Sequence, residues 1–215
     1  MVYSFDDLAD DLMRDLDVSR ETLDKLQIYG ELLIKWQKAK NLVSNATLDD
    51  IWCRHFLDSA QLAPLLRGVF GEKQLTMLDI GSGAGFPGLV LGALGVGTAH
   101  MVESNGRKCI FMRQVSRETS ANAQIHNVRI EEVEPFEVNI ITSRACARIA
   151  QLLDWATPFL TYGGSQTPEM WLLKGETAEE ELTEAQACWS MTVSRFDSQS
   201  DSSGVILRLC DIKKK

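Results

Sequence analysis

Apolar residues in the first third of the chain recur at helical spacing. Phe5, Leu8, Leu12 and Leu16 repeat behind Ser4, a residue type suited to cap a helix start. Leu23, Leu26, Tyr29, Leu32, Leu33 and Trp36 extend the pattern and predict a second helix of about twenty residues. Thr47-Leu48-Asp49-Asp50 reads as the capping start of a third, carrying Trp52, Phe56 and Leu57. Residues 1–66 are therefore expected to form a helical subdomain, followed by a second unit over 67–215. From residue 75 the period changes. Short apolar runs predict strands near 75–80, 98–103, 124–129, 138–143, 170–174, 190–196 and 204–211, with helices near 86–94, 107–120, 148–160 and 177–187. This alternation implies an α/β fold with a seven-stranded, mostly parallel sheet and helices on both faces. Only a polar, Ser-rich stretch (Asp197 to Gly204) joins the last two strands, so it reads as a flexible loop and the last strand as antiparallel.

The chemistry concentrates in Leu78-Asp79-Ile80-Gly81-Ser82-Gly83-Ala84-Gly85-Phe86-Pro87-Gly88. This segment leaves a strand and opens a helix, where free backbone N–H groups meet a ligand. Gly83-x-Gly85-x-x-Gly88 satisfies the dinucleotide fingerprint, with Glu103 at the acidic position after the next strand. Asp79, two residues before Gly81, would repel a pyrophosphate but suits a ligand carrying an ammonium group. S-Adenosylmethionine has that group, and its ribose diol needs an acceptor such as Glu103. The competing structural assignments are a turn cap for Asp79 and a solvated strand-end acid for Glu103. Asp79, Glu103, the Ile130-Glu131 turn and Ser143-Arg144-Ala145 all fall at the carboxyl ends of the first four strands and should line one crevice. There Ile130 would cover an adenine face while Glu131 or its backbone reads the exocyclic amine.

Composition narrows the classes. The 215 residues carry 22 Lys+Arg against 30 Asp+Glu, a net charge of −8, so any contact with nucleic acid must come from local basic patches. No apolar run approaches the roughly 20 residues of a membrane span. Met1 to Asp7 lacks the basic and apolar regions of a signal peptide, so a cytoplasmic protein is expected. The five cysteines are scattered without a C-x-x-C, and the three histidines lack metal-ligand spacing, so no metal is expected. After the fourth strand, Ile141-Thr142-Ser143-Arg144-Ala145-Cys146 lacks the D/N-P-P-Y/F/W segment of amine methylation, and Cys146 lacks the preceding proline of a cytosine-5 nucleophile. A target that is already nucleophilic fits.

From about residue 20 to 175 the chain resembles the small-subunit ribosomal RNA methyltransferase G family (RsmG, also called glucose-inhibited division protein B). The resemblance rests on Trp36-x-x-x-x-Asn41-Leu42, Arg54-His55-Phe56-Leu57-Asp58-Ser59, the glycine segment with its Pro87-Gly88 ending, Ser143-Arg144-Ala145 and Leu173-Lys174-Gly175. Val43-Ser44 stands where Thr-Ser is common, and Phe86 where Leu is frequent. The resemblance implies a Rossmann-like, class I S-adenosylmethionine-dependent methyltransferase that modifies N7 of a guanosine in the decoding region of 16S rRNA. It also implies cofactor contacts at Gly81, Phe86, Ile130, Glu131 and Arg144, with Glu103 at the ribose, beside the Asp79, Gly83 and Gly85 of the loop. The alternatives are a methyltransferase acting on a small molecule or protein, and a nicotinamide-dependent oxidoreductase.

Guanine N7 carries an exposed lone pair, so no general base is needed and none is assigned. Cleft candidates are Arg54, His55, Asp58 and Lys174: Arg54 would meet phosphate, Asp58 would orient it from one helical turn away, and Lys174 would make a second phosphate contact. Arg144 is expected to hold the cofactor or a phosphate, because an arginine bidentate to O6 and N7 would mask the nucleophile. Further RNA candidates are Lys35, Lys38, Lys40 and Asn41 in one cluster and Arg107 and Lys108 in another. The expected partner is 16S rRNA or the small ribosomal subunit, met by a monomer without a membrane.

Overall fold

The computed structural model describes residues 3–38, 40–164 and 167–215, so Met1 and Val2 of the N-terminal reading lie outside the described residues. Helix α1 (Phe5–Leu16) opens on a full capping box, in which the Ser4 hydroxyl accepts from the Asp7 amide and the Asp7 carboxylate accepts from the Ser4 amide. It buries Leu8, Ala9, Leu12 and Leu16. Helix α2 (Arg20–Gln37) starts at Ser19 and buries Leu23, Leu26, Tyr29, Leu32 and Leu33.

The third helical region departs from expectation. Its cap is Ser44 rather than Thr47; a 3-10 segment (Asn45–Asp50) leads into a π-helical turn (Trp52–Leu57), then α3 (Asp58–Ala60) and α4 (Leu62–Phe70). The wider winding adds a residue to the turn. Trp52 and Phe56 thereby reach the helical core, with ring centroids 5.0 Å from Phe5 and 4.9 Å from Tyr29 respectively. His55 and Asp58 meanwhile turn toward Arg144 of the sheet.

Strands β1 (Leu75–Ile80), β2 (Gly97–Val102), β3 (Ala123–His126), β4 (Ile140–Arg144), β5 (Glu169–Lys174), β6 (Trp189–Asp197) and β7 (Val205–Lys214) form one sheet in the order 3-2-1-4-5-7-6. Strands β1 to β5 pair in parallel, and β7 runs antiparallel between β5 and β6. The reversed strand thus lies inside the sheet and β6 forms its edge. The remaining helices are α5 (Gly88–Ala93), α6 (Gly106–Thr119), α7 (Ile149–Leu160) and α8 (Ala178–Cys188).

Alternating strand residues feed two cores. Met77, Ala99 and Trp171 pack with α1, α2, α4, α5 and α6 on one face, whereas Leu78, Ile141 and Leu172 pack with α7 and α8 on the other. Helix α4 carries the chain across position 66/67, and the helices before it share their core with the sheet. None of the described helices is long and apolar enough to cross a membrane. Strand order reverses beside β1, between β2 and β4, and this topology opens a crevice at the carboxyl ends.

Candidate functional site

The chain leaves β1 by turning at Gly81, whose φ of 71° lies in the left-handed region. A side chain there would also run into Sγ of Cys146, so the loop lies directly against the turn after β4. At Gly85 (φ 105°) a Cβ would sit 2.6 Å from the Tyr29 hydroxyl. That hydroxyl donates to the Ala84 carbonyl at 2.6 Å, so α2 pins the loop from behind. Tyr29 is fully buried and stacks on Phe86 at 5.1 Å. The helical periodicity places it in the core; its anchoring of a loop 55 residues away has no local signal.

Asp79 requires a correction. Its side chain is 0% exposed and lines neither part of the cleft. One oxygen accepts from the Gly88 amide at 3.1 Å and the other from the Thr142 hydroxyl at 3.1 Å. Burial raises its pKa to about 6, against the lowering effect of those bonds. Asp79 therefore braces the loop against β4 and α5 instead of facing a ligand. Gly85 likewise lies outside the cleft and shapes the loop.

Beyond the strand ends, two cavities meet at Gly81, Gly83, Lys108 and Ala145. The smaller, about 270 Å³, is lined by Glu103, Ile130, Glu131 and Cys146. The larger, about 490 Å³, is walled by Phe86, Arg144, His55, Asp58 and the β6–β7 loop. Glu103 is held by two backbone donors, Gly83 at 3.0 Å and Asn105 at 2.8 Å, each on a different oxygen. A second lone pair on each oxygen remains for hydroxyl donors. The residues fit S-adenosylmethionine: apolar Ile130 for a purine face, Glu103 for the diol, and a side-chain-free Gly81 where the ligand would cross into the larger cavity.

Arg144 is the hub of that larger cavity. One terminal nitrogen donates to the Arg54 carbonyl at 2.9 Å and to Asp58 at 3.1 Å; the other donates to His55 Nδ1 at 2.9 Å. Its guanidinium lies 5.0 Å over the Phe86 ring. Because Nδ1 accepts, His55 carries its proton on Nε2, which donates to the Thr47 hydroxyl at 2.8 Å; that hydroxyl in turn donates to the Ser44 carbonyl. Burial, then the charges of Arg144 and Arg54, lower the His55 pKa to about 3, so the ring stays neutral.

The expected Arg54–Asp58 pair does not form, because the π-helical turn breaks the regular one-turn spacing. Arg54 instead pairs with Asp201 at 2.7 Å, and Asp58 accepts from Ser200 at 2.6 Å. Gln61 adds bonds to Ser198 and the Gln199 amide. The Ser-rich β6–β7 loop, expected to be flexible, is thereby bolted across the cleft. Lys174 is also corrected: its side chain is 7% exposed, with the ammonium turned onto Glu181 (2.8 Å) and the Ala147 carbonyl (2.6 Å), so it presents no free phosphate contact.

Among the other basic candidates, Lys38, Lys40, Asn41, Arg107 and Lys108 come together along one groove of about 420 Å³. Among the described residues none of these cations has an acidic partner within 4.0 Å. Lys35 lies outside the groove. Lys108 lines the groove and both cavities, joining basic surface to cleft.

Residues 22–203 match the family described as rRNA small subunit methyltransferase G. Ribosomal RNA small subunit methyltransferase G of Rhodospirillum rubrum is 47% identical over 200 residues, covering 93% of this chain and 96% of the relative. Its counterpart in Rhodospirillum centenum is 48% identical over 204 residues, covering 95% and 91%. In fold alone, the chain is similar to magnesium protoporphyrin IX methyltransferase from Synechocystis PCC 6803, solved with bound S-adenosylmethionine. That likeness has a TM-score of 0.60 at 10% identity and covers 90% of this chain and 98% of the other.

Proposed function

The chain belongs to the rRNA small subunit methyltransferase G family, and on that premise we propose that it transfers a methyl group from S-adenosylmethionine to N7 of a guanosine in the decoding region of 16S rRNA. The observation that carries the reading is the chemistry of the larger cavity. Its imidazole is kept neutral with both nitrogens engaged, its Asp58 carboxylate is paired with Arg144, and among the described residues no cysteine lines it. Its remaining carboxylate, Asp201, is held to a pKa of about 2 by the Ser203 amide and hydroxyl and by Arg54, and so is a poor base; such a wall suits a target atom that needs neither base nor nucleophile.

S-Adenosylmethionine, when bound, supplies an electrophilic methyl group on a cationic sulfur. The chain's own work is positioning, and orientation of this kind contributes about 7–11 kcal/mol. Gly81, Gly83, Glu103, Ile130 and Glu131 hold the adenosine side; Phe86, stacked between Tyr29 and His55 and under Arg144, forms the rigid floor beneath the transfer point. Positive charge moves onto the purine during transfer. Neutral His55 and the Asp58-balanced guanidinium add little opposing field there.

Lys38, Lys40, Arg107 and Lys108 engage phosphates along the groove, giving a salt-dependent interaction of modest slope for a chain of net charge −8. The helical region of residues 1–66 supplies one side wall of the cleft, from Leu42 to Asp58, to the sheet of 67–215. The substrate is 16S rRNA or the small ribosomal subunit, met in the cytoplasm by one copy of the chain.

Labelled S-adenosylmethionine incubated with 16S rRNA and with small subunits lacking the modification tests this. Labelled 7-methylguanosine at one site after digestion supports it. Transfer to a different atom, or no transfer to either substrate despite tight cofactor binding, overturns it and moves the target to a small molecule or protein.

A further inference from the structure

Resting on the N7-guanosine reading, one question concerns what tells guanine from adenine in the larger cavity. Both purines present an N7 lone pair. They differ beside N7, where guanine has an O6 acceptor and adenine an amine, and on the opposite side of the ring system, where guanine offers two donors, N1–H and the N2 amine, and adenine offers an acceptor at N1. A purine with N7 toward the methyl group turns that distinguishing edge away from the glycine loop, toward the outer wall. At that edge an acceptor selects guanine, and a carboxylate fits the paired donors best.

The outer wall is the β6–β7 loop. It stands at the far end of a series of side chains that starts at the glycine loop: Phe86 under Arg144, Arg144 on Asp58 at 3.1 Å, Asp58 on Ser200 at 2.6 Å, with Asp201 next in sequence. Among the described residues lining this cavity, two carry carboxylates, Asp58 and Asp201. In Asp58 one oxygen accepts from Ser200 and Gln61 and the other from Arg144, and the side chain is 17% exposed. Asp201 accepts as many hydrogen bonds but is the more exposed of the two, at 30%. Its Oδ1 accepts from the amide and hydroxyl of Ser203, at 3.0 and 2.8 Å, while Oδ2 accepts only from Arg54 at 2.7 Å. The more exposed of the two carboxylates, held in place by three donors and with a lone pair of Oδ2 still open, therefore lines the cavity on the wall where the guanine edge would arrive.

We infer that Asp201 reads the N1–H/N2 edge of the target guanine, and that Arg54 and Ser203 are positioning residues that aim its carboxylate. The amide and hydroxyl of Ser203, with the Arg54 guanidinium, hold the acid well below its ordinary pKa, so it remains an acceptor throughout the working pH range.

The test compares kcat/KM on small-subunit RNA carrying guanosine or inosine at the target position, since inosine keeps N7, O6 and N1–H but lacks the 2-amine. Wild-type enzyme should prefer guanosine roughly 10- to 100-fold. Asp201→Asn should lose about that factor on guanosine and little on inosine, so that the preference collapses toward unity. Ser203→Ala should weaken the preference without abolishing it. Melting temperature and S-adenosylmethionine affinity, measured on the same samples, should match wild type.

If Asp201→Asn slows both substrates equally and the preference survives, Asp201 only shapes the loop and the inference is overturned. If wild-type enzyme forms no 7-methylguanosine, the underlying reading has failed instead. The two failures are therefore distinguishable.

Discussion

Burying a carboxylate behind the glycine loop has a cost that depends on pH, and Asp79→Asn measures it. The folded-state pKa is about 6 against an ordinary value of 3.8. Between those values the folded chain holds a proton that the unfolded chain has released. Stability therefore falls as pH rises through this window, by about 3 kcal/mol at 1.36 kcal/mol per unit. Asparagine fills the same space without the charge. Its oxygen can accept from the Gly88 amide and its nitrogen can donate to the Thr142 hydroxyl, the partners Asp79 uses now.

Urea unfolding of both proteins between pH 4 and 7.5 isolates this group, because every other carboxylate cancels in the difference. At pH 4 the wild type should equal or exceed the variant. Above pH 6.5 the variant should have gained 2–3 kcal/mol relative to it, a midpoint shift near 1 M urea at an m-value of about 2–3 kcal/mol/M. Parallel stability curves across the window would refute the reasoning. The same variant separates a brace from a ligand-binding acid. A brace leaves S-adenosylmethionine affinity within about threefold, whereas neutralising a carboxylate that meets the ligand's ammonium group directly costs about tenfold or more.

Other perturbations address the rest of the cleft. Gly81→Ala forces a left-handed alanine, at about 1–2 kcal/mol, and drives its methyl into Cys146. Calorimetric titration should then show at least a tenfold loss of S-adenosylmethionine affinity, and unchanged affinity would show that the loop tolerates a side chain there. Asp58→Ala strips Arg144 of its counter-charge in a pair whose side chains are each 17% exposed, between the surface and buried limits. We expect a loss of about 2 kcal/mol and a melting temperature lower by roughly 4–8 °C, and an unmoved melting curve would remove Arg144 from its place as hub. Lys40→Ala with Arg107→Ala, both in the basic groove and outside the cofactor cavity, should lower RNA affinity and cut the salt slope by about two while leaving S-adenosylmethionine binding alone. An unchanged slope would place the RNA elsewhere.

The fold was legible because each element carries its own signal. Ser4 and Ser19 cap the helices whose apolar stripes follow them. The run Leu75 to Ile80 forms a strand over those same residues, and the glycine loop follows it as the turn chemistry requires. Glu103, Ile130, Glu131 and Arg144 converge because strand ends in a parallel sheet share one edge, a rule that works from sequence order alone. Local rules fail at residues whose partners are distant in sequence or in the fold. Asp79 precedes a glycine run and so reads as a ligand contact, yet its partners lie in α5 and β4. Lys174 ends a strand in the cleft, but Glu181, one helical turn into α8, takes its ammonium.

The π-helical turn at Trp52–Leu57 shows why such partnerships escape spacing arguments and what they accomplish. In a regular helix Arg54 and Asp58 would share a stripe and neutralise each other. Wound wider, the segment separates them: Asp58 reaches Arg144, 86 residues on, and Ser200, 142 residues on, while Arg54 reaches Asp201. One carboxylate thus ties Arg144, which lies over the Phe86 floor of the cleft, to the loop that closes the opposite wall. Displacing Arg144 would have to carry Ser200 with it through Asp58, or else break a hydrogen bond to a charged acceptor worth about 1.5–3 kcal/mol.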